Sequence, residues 1–183
     1  KCFLKLKSAQ ATLIPPHENQ GTAMNNHHRI LSCALVLIVS SPISSAFAWQ
    51  VEKITDGLEI PWGLAYVDDS TMLLTEKAGV IKHIDLKSGE QNTLFRLPNV
   101  WAKGQGGLLD ITLSPFEEDK LYVTYSKDVD GEGVTTLASA TYKDDEVSNW
   151  QDVFVSKSRT DTGRHFGSRI TFDDNHLHFS IGD

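Results

Sequence analysis

The chain has 183 residues, 40% of them hydrophobic and 22% charged, a composition that supports a globular core and excludes extensive disorder. Its formal net charge is -7 at pH 7, and no block of Lys and Arg supplies a basic surface. A nucleic-acid partner is therefore not expected.

The first 48 residues have the pattern of a targeting segment. Met24 begins a short polar stretch, residues 30–39 are almost entirely apolar, and Ala46-Phe47-Ala48 supplies the small side chains of a signal-peptidase site. We interpret residues 24–48 as a cleavable signal peptide, residues 1–23 as an extension upstream of the true start, and residues 49–183 as the mature domain. The protein is expected to be periplasmic or secreted.

The apolar run of this segment is too short for stable membrane insertion, because a spanning helix needs about 20 apolar residues. A membrane anchor is the alternative interpretation. Both cysteines, Cys2 and Cys33, precede residue 49, so the mature chain would contain no thiol and no disulfide.

From Trp49 onward, short runs of β-branched and aromatic residues alternate with turn residues, which predicts an all-β fold. The turn residues predict hairpins at most of the joints. The predicted strands cover residues 63–67, 71–76, 80–85, 93–97, 108–113, 120–126, 135–142, 152–156, 168–172 and 176–181.

These strands group into a repeat with about four strands per unit. Similar segments begin at Trp62, Leu108 and Ser168, and each is followed by a turn and a second similar strand: 72–76, 121–125 and 177–181. A period of roughly 40 to 60 residues is typical of β-propeller blades. The sequence predicts two blades and the start of a third, so we expect the amino-terminal part of a truncated propeller. A complete small sandwich is the alternative.

Two glycine-containing motifs have functional and structural interpretations. Gly104-Gln105-Gly106-Gly107-Leu108-Leu109-Asp110 leads into a strand, whereas a dinucleotide loop would lead into a helix. Its glycines suit a tight bend or a backbone that approaches a ligand, with Gln105 projecting from the bend. Asp128-Val129-Asp130-Gly131-Glu132-Gly133 resembles half of a calcium loop, but Ser139 at the twelfth position cannot supply a bidentate carboxylate. A solvated hairpin loop is therefore predicted there.

His165 is the histidine best placed for chemistry. It lies between glycines in a loop that leads into a strand, where an accessible imidazole could act as a base. A surface histidine without a role is the alternative. The other mature-domain histidines, His83, His176 and His178, fall in predicted strands with no partner pattern, and no cluster of His and Asp indicates a catalytic metal.

Six short sequence motifs in a fixed order resemble the glucose/sorbosone dehydrogenase family, and within it the soluble aldose sugar dehydrogenases that depend on pyrroloquinoline quinone (PQQ). The resemblance covers residues 50–183. The motifs are Leu58-Glu59-Ile60-Pro61-Trp62-Gly63-Leu64-Ala65, Leu74-Thr75-Glu76-Lys77-Ala78-Gly79, Gly104-Gln105-Gly106-Gly107-Leu108-Leu109-Asp110, Leu121-Tyr122-Val123-Thr124-Tyr125, His165-Phe166-Gly167-Ser168-Arg169 and Ile181-Gly182-Asp183.

The resemblance implies a six-bladed β-propeller enzyme that oxidises an aldose at its anomeric carbon to a lactone, passes the hydride to PQQ and uses calcium. By the same resemblance, His165 is the general base beside the cofactor, Asp183 is the carboxylate that orients it, and Gln105 contacts sugar and cofactor. Most residues that anchor PQQ and calcium would follow Asp183, and no metal ligand is assigned within the chain. We therefore expect the 183-residue chain to be inactive by itself.

Arg164 departs from the glucose-oxidising branch, which has an acidic residue before the base, and this favours a broader range of aldoses. The particular sugar, the electron acceptor and the oligomeric state are left open. The alternative function is a secreted propeller that binds a sugar or a protein without redox activity. A propeller lactonase is a third interpretation, but it would need carboxylate metal ligands that the sequence does not present.

Overall fold

The computed structural model describes residues 3–8 and 49–182, and these ranges contain strands, turns and bends but no helix. One compact unit comprises residues 52–183 with residues 1–5, and most of the other, residues 6–51, lies outside the described ranges. The strands are β1 (Phe3–Ser8), β2 (Trp49–Thr55), β3 (Pro61–Asp68), β4 (Thr71–Glu76), β5 (Val80–Asp85), β6 (Gln91–Arg96), β7 (Leu108–Leu113), β8 (Lys120–Val129), β9 (Glu132–Lys143), β10 (Glu146–Thr160), β11 (Gly167–Phe172) and β12 (Leu177–Ile181).

The strands from β3 onward form two four-stranded antiparallel sheets and a hairpin. The first sheet has the order β3-β4-β5-β6, the second β10-β9-β8-β7, and β11 pairs with β12. This arrangement confirms the predicted all-β fold with two propeller blades and the start of a third. All ten predicted strands are present, and those at residues 71–76, 80–85 and 108–113 have the predicted bounds.

The sequence does not predict β1, β2 or the full length of β10. β1 lies in the segment set aside as an upstream extension and pairs with β2, whose residues are mostly exposed and show no buried face. β10 covers residues 146–160, whereas residues 152–156 were predicted. The added length has no apolar pattern to predict it, because most of it is polar and exposed. Backbone pairing with β9, rather than burial, sustains the added length of β10.

The first strands of the three sheets share an irregularity at the same place. In each of them a register shift lies between the first and fourth residues of the strand: Pro61/Leu64 in β3, Leu108/Ile111 in β7 and Gly167/Ile170 in β11. Opposite this bulge lie Thr75, Thr124 and Ser180. The common register confirms that segments 72–76, 121–125 and 177–181 are equivalent repeats.

Buried hydroxyl groups opposite two of these bulges link each sheet to the next. Thr75 accepts a hydrogen bond from the backbone N–H of Gly63 at 2.8 Å and donates one to the Leu109 carbonyl, in the following sheet, at 2.7 Å. Thr124 repeats both bonds one sheet later and donates to the Ser168 carbonyl of β11 at 2.6 Å. Buried hydrogen bonds of this kind align neighbouring sheets, because an unsatisfied partner would cost free energy.

The largest apolar cluster combines residues of both four-stranded sheets. Leu73 and Ile81 of the first sheet and Leu121 and Val123 of the second are fully buried in it. Burial of such side chains stabilises the packed state by about 1.5–3 kcal/mol each. The core therefore lies where the two sheets contribute to one cluster, as expected of successive blades.

The acidic segment around Asp130 is a hairpin turn, as predicted. Val129 of β8 pairs with Glu132 of β9, which leaves a two-residue turn with positive φ at Asp130 (55°) and Gly131 (85°). The Asp128 carboxylate accepts the Gly131 N–H at 2.9 Å. Positive φ at both central residues is the hairpin geometry that Asp-Gly favours.

The predicted signal peptide, residues 24–48, and Asp183 lie outside the described residues. Within residues 3–8 and 49–182, the chain has no helix that is long and apolar enough to span a bilayer.

Candidate active site

Two loops lie against each other at the candidate site. One joins β6 to β7 and contains Gln105, and the other joins β10 to β11 and contains His165. The backbone N–H of Gln105 donates to the Gly163 carbonyl at 2.7 Å, and the backbone N–H of His165 donates to Gln105 Oε1 at 3.0 Å. The structure thus brings together the two predicted site residues, Gln105 and His165, which lie 60 positions apart in the chain.

Glycine permits this close contact between the loops. Gly104 and Gly163 both have positive φ, and a Cβ atom at Gly104 would overlap the Gly163 carbonyl group. Glycine takes this backbone conformation without steric cost. The glycine cluster suggested a backbone that approaches another group closely. In the structure that group is the loop between β10 and β11.

His165 has a left-handed backbone conformation, with φ of 64°, and its side chain is exposed. Gly167 and Ser168 also have positive φ, so the chain enters β11 through a tightly wound segment. A left-handed conformation costs about 1–2 kcal/mol for a residue with a Cβ atom. Such strain at an exposed imidazole is typical of positions whose geometry serves function, although it does not identify the function.

The residue after His165 anchors the loop in a small apolar cluster. Phe166 is buried with Trp101 and Leu109, and the rings of Phe166 and Trp101 have centroids 5.7 Å apart. The Trp101 indole N–H donates to the Gly131 carbonyl at 2.9 Å. An exposed histidine is therefore attached directly to a fixed aromatic anchor, which limits the movement of its backbone.

Asp110 connects the start of β11 to the second sheet. Its carboxylate is buried, and Oδ2 accepts the backbone N–H of Ile170 at 2.7 Å, while Oδ1 lies 3.4 Å from Arg169 Nη1. Hydrogen bonds to an ionised carboxylate are stronger than neutral ones. Asp110 thus helps to position the strand that follows His165. Asp110 ends the glycine motif, but the sequence does not predict this structural role.

A shallow cleft opens beside Gln105. It has a volume of about 190 Å³ and is lined by Trp62, Gln105, Leu109, Phe166 and Gly167. Trp62 is 53% exposed and offers an aromatic face there. Sites for whole small molecules usually measure about 300–1,000 Å³, so this cleft can hold only part of a cofactor or sugar. Trp62 lies in one of the six sequence motifs, but the motifs do not predict it as a lining residue.

Basic side chains lie in and beside the two loops. Lys77 Nζ donates to the Gly104 carbonyl, and Lys103 Nζ lies 5.2 Å from the centroid of the Trp101 ring. Arg164, which precedes the candidate base, is exposed. These cations favour an anionic ligand at the loops over a cationic one.

The end of β12 returns to the His165 loop. Ile181 pairs with Gly167, and Gly182 lies so close to the backbone of His165 that a Cβ atom at Gly182 would overlap its carbonyl group. Asp183, the predicted orienting carboxylate, follows immediately but lies outside the described residues. Its role therefore stays a prediction.

Two histidines without a sequence pattern have a common partner in the structure. His178 Nε2 lies 2.9 Å from Asp173 Oδ2, and His176 Nδ1 lies 3.1 Å from Asp173 Oδ1. The backbone N–H of Asn175, followed by the His178 ring, holds the pKa of Asp173 well below its usual range. The sequence shows no partner pattern for these histidines, and the structure supplies the partner because the turn between β11 and β12 brings Asp173 back to them.

Comparisons with known proteins show the family that this chain resembles. The sequence profile of the Glucose / Sorbosone dehydrogenase family matches residues 58–183. Aldose sugar dehydrogenase YliI of Escherichia coli (strain K12) is 33% identical over 165 residues, which cover 86% of this chain and 44% of that protein.

Solved structures show the same likeness. The soluble aldose sugar dehydrogenase (Asd) from Escherichia coli, in its apo-form, has a TM-score of 0.66 and 35% identity, covering 73% of this chain and 40% of that one. The PQQ-bound form of aldose sugar dehydrogenase (Adh) from Streptomyces coelicolor has a TM-score of 0.60 and 25% identity, covering 68% and 38%. The chain spans less than half the length of each of these relatives.

Proposed function

Because the chain belongs to the glucose/sorbosone dehydrogenase family, we propose that the protein, at the length of its relatives, oxidises aldose sugars at the anomeric carbon to lactones. PQQ is the proposed hydride acceptor, with calcium as a second cofactor, and export through the segment at residues 24–48 is part of the proposal. The observation that carries it is the exposed His165 held beside Gln105 by a hydrogen bond of 3.0 Å.

The proposed chemistry uses His165 as a general base. An imidazole nitrogen removes the proton of the anomeric hydroxyl as the hydride leaves the adjacent carbon. PQQ, when bound, supplies the acceptor for that hydride and its two electrons. Asp183 is the proposed partner that orients the imidazole and stabilises its protonated form.

Gln105 has two roles in this proposal. Its Oε1 atom holds the backbone of His165, and its Nε2 amide makes no hydrogen bond to the residues that the structure describes. The amide is therefore placed to donate to an oxygen of the sugar or the cofactor. A glutamine can serve both roles because its carbonyl and amide groups point to different partners.

The described residues fit one edge of PQQ, a planar tricarboxylate. Gln105 and His165 supply polar contacts beside the cleft of about 190 Å³, and Arg164 and Lys77 supply positive charge. The cleft is too small for the whole cofactor, and within the described ranges no cluster of three carboxylates offers a calcium site. We propose that segments outside this chain supply the remaining PQQ anchors and the calcium ligands.

Replacement of His165 by asparagine tests the base. Asparagine tolerates a left-handed backbone, so His165→Asn removes the imidazole without adding strain to the loop. In the full-length protein with PQQ and calcium, we expect dye reduction with glucose or xylose to fall by about 10²–10⁴-fold, the usual contribution of a general base. PQQ binding, measured by its absorbance change, should be retained.

His83→Gln is the matched control, because His83 lies in β5 away from the two loops and should leave turnover unchanged. Full turnover in His165→Asn would remove His165 from the base role. A protein that binds a sugar or another protein but causes no absorbance change on titration with PQQ would favour the non-redox propeller.

A further inference from the structure

Three metal-ligating side chains converge at the turn of the β11–β12 hairpin. Asp173, His176 and His178 each offer a ligand atom, and these atoms lie within 4.8 Å of one another. They are the one such group of His, Cys, Asp and Glu among the residues that the structure describes. All three side chains are exposed to solvent, so an ion can reach them directly.

The hairpin register explains why the three side chains meet. Thr171 pairs with His178 and Phe172 with Leu177, so the turn falls at residues 173–176. His176 and His178 are two residues apart, and side chains at this spacing leave an extended chain on the same side. Asp173 returns to that side because its Oδ1 accepts the backbone N–H groups of Asn175 and His176 at 2.8 and 2.7 Å.

The ligand set selects a class of metal ion. Two imidazole nitrogens and one carboxylate oxygen suit zinc and neighbouring transition metals, whereas calcium takes six to eight oxygen ligands. Ligand atoms at zinc bond lengths in a tetrahedral site are about 3.3 Å apart. The carboxylate oxygens of Asp173 already lie 3.1 and 2.9 Å from the ring nitrogens of His176 and His178, and the three ligand atoms lie within 4.8 Å of one another, so side-chain rotation can bring them to that spacing around an ion.

We propose that Asp173, His176 and His178 form a binding site for zinc or another divalent transition-metal ion, which joins the two sides of the β11–β12 turn. Water completes the coordination, because the site is exposed and has three protein ligands. β11 separates this turn from the His165 loop by roughly 17–20 Å along the strand. The site is therefore separate from the proposed sugar-oxidising centre, and its test does not depend on turnover.

Titration calorimetry with zinc chloride tests the site in chelator-treated full-length protein. Cys2 and Cys33, where the chain retains them, are replaced by serine so that thiolates do not compete. We expect one zinc ion per chain and at least about tenfold weaker binding in His178→Gln. His83→Gln is the control, because His83 lies 3.7 Å from Asp145 in a simple pair and should bind zinc as the parent does.

Proton NMR of the unsubstituted protein provides a second measurement that no folding defect can disturb. Zinc should shift the ring resonances of His176 and His178 at lower zinc concentrations than those of His83. The proposal is overturned if the parent binds no zinc, if a folded His178→Gln variant binds zinc with unchanged affinity, or if the shifts occur only at other histidines.

Discussion

β8 and β12 occupy equivalent places in successive sheets, with the same register and the same bulge, but they differ in burial. Leu121 and Val123 of β8 are fully buried, whereas their equivalents in β12, Leu177 and Phe179, are partly exposed. The comparison shows that strand alternation and the bulge are local properties of each hairpin. Burial is conferred by the neighbouring sheets, and β12 has fewer neighbours in the described structure than β8.

A leucine pair tests this difference most strongly. Leu121→Ala removes a fully buried side chain from the shared cluster and should lower the free energy of unfolding by about 2–5 kcal/mol. Leu177→Ala, at the equivalent place, should cost less than about 1 kcal/mol because its side chain is partly exposed. Urea denaturation measures both. Equal losses would show that β12 is as well covered as β8 in solution.

The hydroxyl groups opposite the bulges provide a smaller test. Thr124→Val keeps the side-chain shape but leaves the backbone groups of Asp110 and Ser168 without their hydroxyl partner, which should cost about 1–3 kcal/mol. Ser180→Ala changes an exposed hydroxyl and should stay within about 0.5 kcal/mol. Thermal denaturation should therefore separate the two variants. A Thr124→Val protein as stable as the parent would contradict the structural role of the linking hydroxyl.

Asp110 joins the well-buried second sheet to the exposed hairpin, and its substitution should have the smallest of the three main effects. Asp110→Asn keeps one oxygen for the Ile170 N–H but removes the charge, so we expect a loss of about 1 kcal/mol. Hydrogen exchange at the Ile170 amide should become faster, while exchange within β8 stays unchanged. Asp161→Asn, an exposed aspartate in the neighbouring loop, is the control. Unchanged exchange at Ile170 would show that Asp110 does not hold β11.

Much of the fold could be predicted from the sequence because its determinants are local. Segments 72–76, 121–125 and 177–181 are short, mainly apolar runs between turn signals, and their structural register agrees with the predicted repeat. The long, polar β10 could not be predicted, because an exposed strand has no buried face to produce a pattern. β1 was not predicted for another reason, since residues 1–23 were interpreted as an extension upstream of the true start.

The site was predictable in part and for a different reason. Gln105 and His165 were selected from a family resemblance and a glycine-rich setting, and only the fold shows that the two loops touch. The buried role of Asp110 depends on the packing of β7 against β11, which residue spacing does not reveal. The meeting of Asp173 with His178 likewise depends on where one hairpin turns.

The left-handed backbone at His165 has a consequence for attempts to engineer this protein. Glycine and asparagine adopt that conformation more readily than histidine, by about 1–2 kcal/mol in the case of glycine. Laboratory evolution guided by heat resistance alone would therefore tend to replace His165 and discard the imidazole that the proposed reaction requires. Thermostable libraries of this protein should hold residue 165 fixed and seek their gains in the cluster around Leu121 or at the exposed positions of β10.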